Sequence, residues 1–167
     1  MEAFAAREKV FRTKGLVFYG RSENSVQLEN RTKENWEPVC DEFVHIEGDK
    51  PYPFTQEEYL ERLTQAKWGL CLAGFGKKCH REIECMALGC VPVVAPEVDM
   101  SSYANPPVEG VHYLRVSGPA DVAAALVAAA DKWPAMSDAC REWWRQNASV
   151  DGMWELTKRL SSSPPSS

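Results

Sequence analysis

Residues 68–95 read WGLCLAGFGKKCHREIECMALGCVPVVA, and this stretch decides the fold. It opens on an apolar run of strand length, Trp68 to Leu72. The glycine-bearing loop Ala73-Gly-Phe-Gly follows at once. From about Cys79 to Leu88 the apolar spacing turns helical, and Gly89 stands where a helix C-cap belongs. Val91 to Ala95 is a second apolar run. Two strands that are apolar throughout, joined by a helix, imply a parallel pair covered on both faces.

The same alternation extends in both directions. Gly15 to Gly20 is a short apolar and aromatic run between turn residues, hence a buried strand. Ser25 is placed to cap a helix through about Val39, and Glu42 to Ile46 forms the next strand. Pro51 and Pro53 hold an extended segment. Thr55 with Glu58 makes a capping box for a helix to about Lys67. Past the Asn105-Pro-Pro loop, His112 to Val116 reads as a fifth strand. Helices are expected over 120–132, from a Ser137 cap through Asn147, and over 151–160. The pattern predicts one α/β domain over residues 1–160, Rossmann-like and three-layered with a mostly parallel sheet. Residues 161–167 are only serine and proline and are expected to be disordered.

Composition narrows the classes. Hydrophobic residues make up 44% and charged residues 26%, enough for a packed core. A net charge of −5 argues against a nucleic-acid partner, since such binders are usually basic. No apolar run approaches the roughly 18 residues that suggest a membrane span. Met1 to Lys14 lacks the apolar stretch of a signal peptide, so a soluble protein is the expectation, cytoplasmic, or in the Golgi lumen if the chain is a fragment of a larger enzyme. The six cysteines (40, 71, 79, 85, 90 and 140) form no CxxC pair and read as small buried thiols, with no metal site among them. The Asn30 and Asn147 sequons are read as chance matches.

In open α/β sheets, ligands sit beyond the carboxyl ends of the strands, where helix N-termini offer free N–H groups. Two strand ends carry suitable chemistry. One is Gly20-Arg21. The other is the loop from Gly74 through Gly76, with Lys77, Lys78, His80 and Arg81 behind it. Glycines that admit a ligand to the backbone, followed by cations, suit a diphosphate. Arg81 and Glu84 lie three apart on one side of the helix, opposite a core face of Ile83, Met86 and Ala87. They fit either a nucleotide site or an ordinary exposed ion pair. Glu97, Asp99 and His112 lie near strand ends and read as structural or exposed.

Three pieces of the opening stretch carry a resemblance: the strand and glycine loop 68–76, Arg81-Glu-Ile-Glu84, and Gly89-Cys-Val-Pro-Val-Val94. Together they resemble the donor-site signature of exostosin-like glycosyltransferases. A looser likeness to donor lobes of the two-Rossmann-domain (GT-B) type runs from about Arg21 to Trp154. The resemblance implies that Glu84 binds the nucleotide ribose and Arg81 the diphosphate. It implies that the Gly74–Gly76 loop approaches phosphates or sugar, and that Arg21 binds phosphate. The donor is then a nucleoside diphosphate sugar, with UDP the expected carrier, and no metal or other cofactor is expected. Retaining GT-B enzymes often carry glutamate where this chain has Ala73, which favours inversion. A GT-B enzyme also has an acceptor lobe, which supplies the general base and has no counterpart in these residues. Trp133, Trp143, Trp144 and Trp154 mark the C-terminal helices as its expected docking surface.

Two other readings fit parts of the pattern. Gly74-Phe-Gly-Lys-Lys-Cys begins like a dinucleotide fingerprint, but its third glycine is Cys79 and the loop follows the third strand. A non-catalytic interaction module using the tryptophan-rich end is the second.

Overall fold

A computed structural model describes residues 1–5 and 11–162. Strands β1 (Lys14–Ser22), β2 (Glu42–Glu47), β3 (Ala66–Cys71), β4 (Val91–Val94) and β5 (Leu114–Arg115) form one sheet in the order β2-β1-β3-β4-β5. Every pairing is parallel, with Val17 opposite Glu42 on one edge of β1 and Gly69 on the other. Helices α1 (Glu2–Ala5), α2 (Ser25–Thr32), α3 (Gln56–Thr64), α4 (His80–Leu88), α5 (Pro119–Ala129), α6 (Trp133–Asn147) and α7 (Val150–Ser162) flank it. The expected α/β architecture is therefore present: a five-stranded parallel sheet between helices.

The sheet holds because its strands are apolar on both faces. Leu16 to Tyr19, Leu70 to Leu72 and Val91 to Ala95, Pro92 aside, all lie in the core. Each such side chain contributes about 1.5–3 kcal/mol on burial. Phe18 stacks on Phe43 of β2 at 4.8 Å, and Tyr19 meets Phe54 and Tyr59 edge-on. Arg12 ties the helix ends to this sheet. Its guanidinium donates to the carbonyls of Leu63 and Leu88, at the ends of α3 and α4, and of Ala66 at the start of β3.

Several boundaries differ from expectation, each for a local reason. Asn24, not Ser25, caps α2, its side chain accepting from the Gln27 amide at 3.0 Å. That helix stops at Thr32 rather than near Val39, and Glu37–Val39 forms a separate 3₁₀ turn around Pro38. The Thr55–Glu58 capping box is present, but α3 ends at Thr64 because Ala66 already pairs with β1. The residue expected as a cap, Ser137, lies inside α6, which starts at Trp133. Its hydroxyl instead donates to the Gly89 carbonyl at 2.6 Å. At the C-terminus α7 includes Ser161 and Ser162; residues 163–167, the rest of the expected tail, lie outside the described residues.

Two features of α4 bear testing. Gly89 ends it with φ +68°, and a Cβ there would stand 2.6 Å from Arg141 Nε and 2.7 Å from Ser137 Oγ. Gly89→Ala is expected to cost about 1–3 kcal/mol from the left-handed backbone alone. An unchanged Tm in thermal denaturation would exclude that backbone conformation. The second feature is Glu82, fully buried in the first turn, where its carboxylate accepts from the Cys79 amide at 3.2 Å. Burial pushes this carboxyl above its ordinary range. With the folded value above the unfolded one, its contribution to stability is greatest at low pH and is lost as pH rises through the folded value. Glu82→Gln keeps an acceptor for the amide, so its Tm advantage over the parent should widen from about pH 4 to about pH 8. A gap that stays flat with pH would refute the argument.

Candidate functional site

Sheet order sets the location. The chain leaves β1 for β2 on one side and returns to β3 on the other, so the ends of β1 and β3 form a crevice at the point where connections diverge. Gly20 lies in the last three residues of β1 and the Ala73–Gly76 loop follows β3, the two strand ends singled out from sequence. Helix α4 starts beyond that loop, with Cys79 as its N-cap in extended conformation.

Arg81 projects from the first turn of α4 back across β1. Its Nη2 donates to the Tyr19 carbonyl, and its guanidinium lies 4.7 Å over the Phe18 ring. Gly20 makes this path possible: a Cβ there would stand 3.3 Å from Arg81 Nη2 and 2.5 Å from the Phe18 ring. Two buried donors of the guanidinium, Nε and Nη1, have no protein partner. Glu84, one turn on, does not neutralise it at contact distance. Instead the Glu84 carboxylate accepts from the Tyr59 hydroxyl at 2.5 Å. Burial raises the Glu84 carboxyl above its ordinary range, while Tyr59 and the nearby Arg81 charge oppose that rise. The exposed Arg–Glu pair that the spacing also allowed is not what forms; both side chains are half-buried.

The remaining candidates are spread more widely. Gly74 is buried, and its carbonyl accepts from Asn30 Nδ2 at 2.9 Å. Gly76 is exposed, with its carbonyl accepting from the Gly74 amide at 3.2 Å. Arg21 turns toward the segment after β2, donating to the Lys50 carbonyl at 2.6 Å beside the Tyr52 ring. Tyr52 lies within electrostatic range of Arg21, Arg31, Arg81 and Glu84, which places it amid the cluster. Lys77 and His80 are exposed. Lys78 packs 4.0 Å over Tyr103 and donates to Ser102, so its ammonium is directed to the loop after β4. Glu97 pairs with Lys33, Asp99 accepts from Ser101, and His112 accepts from the Val108 amide. Each of the three has a local partner of this kind.

Sequence reading missed Arg31. It sits in the last turn of α2, only 7% exposed, with Nε and Nη1 unpartnered. Its Nη2 lies 3.4 Å from where a Cβ on Gly74 would be. Burial weakens its hold on the proton, and the neighbouring Arg81 charge adds to the effect. The only signal in the sequence was an arginine at a helix end, which is commonplace.

No family profile and no curated protein matches the chain. Among solved structures it is similar to the crystal structure of TarM, with TM-score 0.60 and 15% identity. The match covers 93% of this chain and 36% of TarM. TarM is a GT-B glycosyltransferase, and at this identity the likeness shows the fold alone: this chain has the parallel α/β architecture of one lobe of that structure.

Proposed function

We propose that the chain is the donor-binding lobe of an inverting glycosyltransferase that transfers a sugar from a nucleoside diphosphate, with UDP the leading carrier, to an acceptor hydroxyl. One observation carries this reading. Arg81 and Glu84 are drawn into the crevice between the ends of β1 and β3 without neutralising one another, leaving two guanidinium donors of Arg81 for a ligand. In this reading the Glu84 carboxylate, held by Tyr59, accepts from the ribose hydroxyls. Arg81 and the N-terminus of α4 face the diphosphate. The Gly74–Gly76 loop admits phosphate or sugar to the backbone. Arg21, Lys77, Lys78 and His80 are assigned to the outer rim; Lys78 and Arg21 must release their present carbonyl partners to reach a ligand.

The reaction follows from that placement. The acceptor oxygen forms a bond to the anomeric carbon as the bond to the diphosphate breaks. Negative charge gathers on the departing diphosphate, where Arg81 and the helix end stabilise it. The acceptor's proton passes to a base on a second lobe. Helix α7 suits that lobe: Val150, Met153, Trp154 and Leu160 form an exposed apolar stripe, with Trp154 63% exposed. Trp143 and Trp144, by contrast, are core residues of α6.

Calorimetric titration with UDP, GDP and NAD tests the reading. Either diphosphate is expected to bind, and Arg81→Ala and Glu84→Ala should each weaken it by about 10- to 100-fold. Absence of UDP and GDP binding at millimolar concentration, or preference for NAD, would overturn it.

A further inference from the structure

Arg31, buried, and Arg81, half-buried, differ from the buried Arg12 in a way that asks for a ligand. Arg12 is 9% exposed, and its guanidinium is satisfied by three main-chain carbonyls. That is the ordinary solution for a buried cation. Arg31 and Arg81 each keep Nε and Nη1 without a protein partner, and each acts on the other as a like charge. Fold stability alone gives no reason to hold two such groups together, since an unpaired buried charge is costly. Both are admitted by glycines at the same crevice: Gly74 beside Arg31 Nη2 and Gly20 beside Arg81 Nη2.

We propose that Arg31 is a second anion-binding side chain of this site, set beside Arg81 so that two guanidiniums take the two phosphates of a nucleoside diphosphate. The inference rests on the nucleotide-sugar reading and adds to it a residue and a selectivity, diphosphate over monophosphate. The surrounding charges disfavour one approach. Arg31 also lines a cavity of about 410 Å³ that includes neither Gly74 nor Arg81 and whose lining holds the exposed carboxylates Glu34 and Glu37, which repel an anion. His45 lines the same cavity and bonds to Ser22 at 2.7 Å; burial and the two arginines hold it below its ordinary pKa. The ligand is placed on the Gly74 side, toward which Arg31 Nη2 lies. A planar fork with several donors suits a phosphate better than a single ammonium does.

The test compares the parent chain with Arg31→Met, using UDP, GDP, UMP and inorganic pyrophosphate as calorimetric probes and Tm without ligand as a second readout. Arg31→Met is expected to weaken the diphosphate that binds by about 10- to 100-fold, and to reduce its margin over UMP. Its Tm should equal or exceed the parent's, because a buried unpaired charge has been removed. A merely structural arginine would lower Tm along with binding, and that result overturns the proposal. Unchanged UDP affinity in Arg31→Met, with Arg81→Ala impaired, sinks the role of Arg31 and leaves the donor-site reading standing. Arg31-dependent pyrophosphate binding without nucleotide binding does the reverse. If no probe binds, both fall.

Discussion

β1 is hydrogen-bonded on both edges, to β2 on one side and β3 on the other, and the rest of the molecule depends on that central placement. A strand so enclosed must be apolar on both faces, as Leu16 to Tyr19 are. It must also end where two connections part, so its last residues face a crevice rather than another element. Gly20 is the consequence. Lacking a side chain, it lets Arg81 cross from α4 and bond to the Tyr19 carbonyl, which links helix, strand and crevice in a single contact.

Around that contact the protein spends stability in a selective manner. Arg12, remote from the crevice, has its charge satisfied by helix-end carbonyls and strengthens the joint between α3 and α4. Arg31 and Arg81 receive no such compensation at Nε and Nη1. Glu84 has a raised pKa from burial, yet its hydrogen-bond donor is the neutral Tyr59 rather than the adjacent arginine. Charges kept apart in a part-buried site remain available to something else, the pattern common where structure serves binding. The four cysteines at 71, 85, 90 and 140 are fully buried free thiols in the core beneath this site and supply packing volume.

The C-terminal helices divide the tryptophans by task. Trp143 and Trp144 face the core, with Trp143 donating to the Asn105 carbonyl and meeting Tyr103 edge-on. Trp133 is half-buried and donates to the Lys67 carbonyl. Only Trp154 is left on an outer face, on a helix held close to α6 because Gly152 presents no side chain to the backbone of Arg145 and Gln146.

Much of this was determined by sequence alone. Runs of apolar residues of strand length, separated by capped helices, fix an α/β domain with a parallel sheet, because only such a sheet buries strands on both faces. The Thr55–Glu58 box, the Gly89 stop and the loop Ala73–Gly76 are local chemistry and were legible for that reason. Placing Arg81 and Glu84 on one side of α4 was likewise a matter of helical period. What only tertiary structure decided is whom each side chain meets. Period alone left open whether Arg81 and Glu84 paired in solvent; the packing of α3 against α4 brings Tyr59 to Glu84 instead. Arg31 is distant in sequence from Gly74 and Arg81, and nothing in its neighbours marks it. It comes beside Gly74 because Asn30 of the same helix end bonds to the Gly74 carbonyl across the crevice, a juxtaposition that no local pattern encodes.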